Sequence, residues 1–64
     1  MKVRDVIKRL KADGWIVVRT RGSHRQLKHP TKPGTVTVAG QLRMDLHTDT
    51  LKSIWRQAQL RGDL

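Results

Sequence analysis

Val3, Val6, Ile7 and Leu10 recur at i, i+3, i+4 and i+7, which draws one apolar stripe along a helix from about Lys2 to Asp13. Arg4, Asp5, Lys8, Arg9 and Lys11 take the other face. Asp5 in the first turn and Lys11 in the last both suit the helix dipole. Gly14 stands where a left-handed residue ends a helix. Trp15 to Thr20 is rich in β-branched and aromatic residues and reads as a strand. Its first half is apolar on both parities, which predicts a buried or central strand.

Arg21-Gly22-Ser23 follows as a short turn, with Gly22 supplying a positive φ. A second strand is expected from His24 to Lys28 or His29, stopped by the turn chemistry of Pro30 to Gly34. Thr35 to Ala39 alternates cleanly, so Val36 and Val38 face the core and the threonines face out; Gly40 ends this strand. Gln41 to His47 fits either an alternating strand or a loop that lays Leu42, Met44 and Leu46 on the core. Leu51, Ile54, Trp55 and Ala58 repeat the helical stripe. They predict a helix from Asp49 to about Leu60, with Thr48 as N-cap and Arg61 and Gly62 at its end.

The order α-β-β-β-α describes one α+β domain over residues 1–64, with a three-stranded antiparallel meander. Each helix has a single apolar stripe, so both pack on the same sheet face and leave the other face open to water. Leu27 is the large aliphatic residue of the second strand and faces the core. His24, Gln26 and Lys28 have the opposite parity and line the open face. Arg25 and His29 share the parity of Leu27 and emerge at the strand ends. Lys28 is thus the cation expected on the side of His24, while Arg19 and Arg21 flank the turn without an assigned face.

Charge changes what that open face can be for. Fourteen Lys and Arg stand against five Asp, a net charge of +9 and a pI near 11.6 over 64 residues. A field of this sign on so small a surface attracts polyanions, nucleic acid first, then an acidic protein, then an anionic membrane. The chain has no cysteine, so disulfides and thiolate metal sites are excluded. It has no long apolar run, and the mixed-charge start Met1 to Asp5 does not read as a signal peptide, so the cytoplasm is the expected compartment.

The stretch Arg19-Thr20-Arg21-Gly22-Ser23-His24-Arg25 joins a proton-transfer group to guanidinium forks that hold phosphate. Neighbouring cations favour the neutral imidazole that a general base needs. Ser23 and His24 are adjacent and point apart on a strand, so a serine nucleophile does not fit. The Ser23 hydroxyl suits the turn backbone or a phosphate. His24 and His29 face opposite sides and no ligand spacing exists, so neither metal nor cofactor is expected. His29 and His47 read as a solvated turn residue and a surface loop residue. Trp15 and Trp55 read as core, and with no Phe or Tyr a base-stacking aromatic platform is not indicated.

Nearly the whole chain resembles the HicA (YcfA-like) toxins of bacterial HicA–HicB modules. The resemblance is carried by Val6-Ile7-Lys8-Arg9-Leu10, Gly14-Trp15, Arg19-Thr20-Arg21-Gly22-Ser23-His24, the Val36-Thr37-Val38 strand and Thr50-Leu51-Lys52-Ser53-Ile54-Trp55-Arg56-Gln57-Ala58. It implies a double-stranded-RNA-binding-domain-like fold and an mRNA-cleaving endoribonuclease whose essential residue matches His24. It also implies a HicB-like antitoxin that covers that site. The family often has Gly at the place of Gln59 and Phe at the place of Trp15. Arg19, Arg21, Ser23, Arg25, Gln26 and Lys28 are the expected RNA-contacting side chains. The competing reading is a non-catalytic module that binds double-stranded RNA or other nucleic acid by shape and phosphate contacts.

Overall fold

A computed structural model describes residues 1–60 of the chain. Its elements are α1 (Val3–Ala12), β1 (Ile16–Arg21), β2 (His24–Lys28), β3 (Val36–Ala39) and α2 (Thr48–Gln57). The strands form one antiparallel sheet in the order β1-β2-β3. Val17, Leu27, Val36 and Val38 present one sheet face to Val3, Val6, Ile7 and Leu10 of α1 and to Ile54, Trp55 and Ala58 beside them. Trp15, between α1 and β1, completes this core and is 1% exposed. The α+β reading, with both helices on one face, holds. Among the described residues no helix is long and apolar enough to cross a membrane.

The expected central position of β1 is wrong. It is an edge strand, and Ile16 and Val18 are 59% and 55% exposed. Apolar residues on both parities suggested burial on both faces, but the two helices cover only one. Ile16 pairs with Lys28 on the uncovered face, and Val18 is the extra residue of a β-bulge.

Both helices end in the same device. Asp13 caps α1, Gly14 follows at φ +106°, and the amides of Gly14 and Trp15 reach back to the carbonyls of Lys11 and Leu10. Ala58 caps α2, Gln59 follows at φ +56°, and the amides of Gln59 and Leu60 reach back to Arg56 and Trp55. Each is a Schellman motif, and each sets a tryptophan against a leucine across the helix end. The expected terminators Arg61 and Gly62 lie outside the described residues. The left-handed conformation is strained for a side-chain-bearing residue. Gln59→Gly is therefore expected to raise stability by about 1 kcal/mol, read as a melting temperature higher by roughly 4–8 °C.

Helix starts use less expected partners. α1 has no side-chain cap; instead the amides of Val3 and Arg4 donate to the carbonyls of Met44 and Leu42, at 2.9 and 3.0 Å. The ambiguous segment Gln41–His47 is thus a loop whose backbone caps α1. Leu46 packs on the core while Leu42 and Met44 stay exposed. At α2 the N-cap is His47, one residue before the expected Thr48. Its Nδ1 accepts the Asp49 amide at 3.2 Å, which a neutral imidazole can do as a carboxylate or hydroxyl would.

His29 is not a solvated turn residue. Its side chain is only 9% exposed. The turn after Pro30 folds the amides of Thr31 and Lys32 onto Nδ1, at 3.0 and 3.1 Å. Nδ1 accepts both, so Nε2 carries the proton and donates to the Asp13 carbonyl at 2.6 Å. The ring also meets Trp15 edge-on, with centroids 5.3 Å apart. Lys32 completes this knot: its Nζ donates to the Asp13 carboxylate at 2.5 Å and to the Ala58 carbonyl at 3.3 Å. One loop therefore ties together the C-terminal ends of α1 and α2.

The Lys32 hydrogen bond holds the Asp13 carboxyl below the usual carboxylate range. Its stabilising contribution is present above that range and is lost as pH falls through the lowered value. Asp13→Asn is expected to lower stability at neutral pH and to flatten the acid limb of the stability curve between about pH 5 and pH 2. Urea unfolding across that interval measures it.

Candidate functional site

The hairpin between β1 and β2 has a two-residue loop, Gly22-Ser23. Positive φ at Gly22 (+59°) and not at Ser23 is the type II′ pattern, which matches the twist of the flanking strands. A tight turn fixes register: Arg21 opposes His24, Thr20 opposes Arg25 and Arg19 opposes Gln26.

Val17 still opposes Leu27 on the core side, so strict alternation from Val17 would send Arg19 and Arg21 toward the core as well. The bulge at Val18 absorbs one residue and re-aims both arginines onto the open face. On the other side of β2, His24 opposes Ala39 and Gln26 opposes Thr37. The open face thus carries two cross-strand rows: Arg21, His24 and Ala39, then Arg19, Gln26 and Thr37. Facing residues in such rows have Cβ atoms ~5 Å apart, and the rows themselves stand ~7 Å apart.

Arg19, Arg21, His24, Gln26 and Thr37 line a concavity of about 220 Å³. Among the described residues the lining contains no carboxylate. Among the described residues no side chain hydrogen-bonds the His24 ring, which is exposed and free to meet a ligand. An anion seated here meets guanidinium groups from one side and an imidazole from the other. A neutral imidazole there can take a proton from a hydroxyl, and the arginines can hold charge on phosphoryl oxygens.

The structure divides the expected contact residues. Arg19, Arg21 and Gln26 stand with His24. Lys28 shares the face but lies four residues along β2, ~13 Å from His24 between Cα atoms. The cations beside His24 are therefore the two arginines of β1, and not Lys28. Arg25 lies on the opposite face, its Nη1 donating to the carbonyls of Ser23 and Gly40 at 3.2 and 2.9 Å. Ser23 accompanies Arg25, in a second groove. Thr37 was not expected in the site, although its outward parity on β3 was legible. The faces of Arg19 and Arg21 were legible too, by counting back from a two-residue turn instead of forward from the apolar run.

With this geometry in view, the family model described as HicA toxin of bacterial toxin-antitoxin matches residues 3–60, nearly the whole chain. No match was found among curated proteins.

Proposed function

The chain belongs to the HicA toxin family of bacterial toxin–antitoxin systems, and from that premise we propose that it is a metal-independent endoribonuclease that cleaves mRNA at the His24 pocket. The observation that carries the reading is the cross-strand row of Arg21, His24 and Ala39 above Arg19, Gln26 and Thr37. It sets a proton acceptor among phosphate-binding groups on the uncovered face of a strongly basic domain.

In the proposed reaction His24 removes the proton of a ribose 2′-hydroxyl. The resulting oxygen attacks the adjacent phosphorus, and the bond to the 5′-oxygen of the next nucleotide breaks. The leaving oxygen takes a proton from water or from the imidazolium that His24 has become. The products end in a 2′,3′-cyclic phosphate, open to hydrolysis to a 3′-phosphate, and a 5′-hydroxyl. Arg19 and Arg21 stabilise the dianionic phosphorane, and Gln26 and Thr37 offer neutral hydrogen bonds to the sugar or a phosphate oxygen. One general acid/base group contributes about 10²–10⁴ in rate. A site with a single such group is expected to turn over slowly beside nucleases that use two.

Among the described residues the pocket lining has no carboxylate to hold a divalent cation. Cleavage is expected to proceed unchanged in EDTA. Cleavage abolished by EDTA and restored by Mg²⁺ would overturn this mechanism.

Membership of a toxin family of toxin–antitoxin systems implies an antitoxin counterpart that neutralises the protein. We take that counterpart to be HicB-like and acidic, and to cover His24. Ile16 on the same sheet face and Val18 at the bulge support this reading, since their exposed apolar surface gives a covering protein something to bury within a basic rim.

A further inference from the structure

A second basic concavity lies on the other side of the β1–β2 turn. Arg4 of α1, Arg25 of β2 and Arg43 of the loop before α2 converge there with Gly22, Ser23, Gln41 and Leu42, around a groove of about 500 Å³. The lining has no acidic residue, and none of the three arginines is in a salt bridge among the described residues. Three like charges from separate elements repel one another unless an anion joins them. Arg25 is moreover held in place by the Ser23 and Gly40 carbonyls, so its fork is oriented before any ligand arrives.

We propose that this groove binds phosphates of the same RNA strand that enters the His24 pocket, a few nucleotides from the scissile bond. The proposal rests on the RNA reading of the His24 face and extends it around the hairpin. The turn is the shared wall: Arg21 and His24, on either side of it, line the first pocket, while Gly22 and Ser23 within it line the second. A flexible backbone passing over this two-residue turn meets arginines on both faces. An acidic protein is the less fitting occupant. Among the described residues Leu42 is the only large apolar side chain in the groove, whereas a stable protein interface needs an apolar centre.

The test is charge reversal away from the catalytic face. Arg4→Glu/Arg43→Glu is compatible with the fold, because Arg4 lies in the first turn of α1, where an acidic side chain is favourable, and Arg43 is an exposed loop residue. Lys8→Glu/Lys52→Glu makes the same change in net charge at exposed sites outside the groove. Binding of a single-stranded RNA about a dozen nucleotides long is measured for both, in a His24→Ala background so that the probe stays intact.

The groove reversal is expected to weaken binding at least about tenfold more than the control. It should also flatten the dependence of log K on log salt by about 1.4, the slope of two lost phosphate contacts on a single strand. Equal losses in the two variants would overturn the proposal, even if the parent protein cleaves RNA normally. A groove reversal that weakens binding of the antitoxin but not of RNA would overturn it too. If the parent binds RNA through the groove yet never cleaves it, the groove assignment stands and the nuclease reading falls.

Discussion

His24→Ala is expected to lower RNA cleavage by at least about 10²-fold, the lower bound for removal of a positioned general base. RNA affinity should change by no more than a few-fold. The reason is geometric: the His24 ring is exposed and makes no hydrogen bond to the described residues, while the proposed site leaves phosphate binding to Arg19, Arg21 and the other cations. The melting temperature should be unchanged, since Leu27, Val36 and Val38 form the buried side of the sheet and His24 is on the other. Expression of the wild-type protein should arrest growth, and expression of the variant should not. Added imidazole should restore part of the lost cleavage in vitro. A variant that still cleaves would remove His24 from the chemistry. A parent that binds RNA tightly and leaves it whole would favour the competing reading of a binding module.

Gly14→Ala carries the largest expected cost in stability, about 3 kcal/mol, from two separate terms. The residue sits at φ +106°, where a side chain is strained by about 1–2 kcal/mol. A Cβ there would also stand 2.7 Å from Nε2 of His29. That ring has little freedom to move aside, since it donates to Asp13 and accepts from Thr31 and Lys32. A domain of this size has a total stability of roughly 3–10 kcal/mol, so the variant is expected to lose about a third or more of it and to melt roughly 12–24 °C lower. Urea unfolding measures the cost. In a His29→Ala background the same substitution should cost only the backbone term. A loss below 1 kcal/mol in the parent would show that the knot around His29 is softer than its hydrogen bonds imply.

Helices and strands were legible because their signals are local. Stripes at i, i+3, i+4 and i+7 marked α1 and α2, and Gly14 marked the first helix end. The open face followed from one argument: two single-striped helices can cover only one side of a small sheet. The meander puts β1 at an edge and the one-sided covering exposes its second apolar parity, two consequences that the dense apolar run Trp15 to Val18 conceals. The bulge at Val18 was not legible, since nothing in Ile16-Val17-Val18 says which valine is extra. Counting forward from the apolar run therefore misplaces Arg19 and Arg21, whereas counting back from the two-residue turn gives their faces. The role of His29 is hidden for a different reason: its partners are backbone amides that reach it only after the turn at Pro30 closes. His47 likewise gained a capping role that its type does not announce. His24 stood out at both levels, because parity alone sent it to the open face and the tight turn fixed what opposes it.

The central claim is that the ribose 2′-hydroxyl, activated by His24, is the nucleophile. Its most direct test compares an RNA oligonucleotide that the wild-type protein cleaves with the same sequence made entirely of 2′-O-methyl nucleotides, both in EDTA, with product ends read by mass spectrometry. The RNA is expected to yield a 2′,3′-cyclic phosphate and a 5′-hydroxyl, and the methylated strand is expected to remain intact. Cleavage of the methylated strand, or products bearing a 5′-phosphate, would contradict the account.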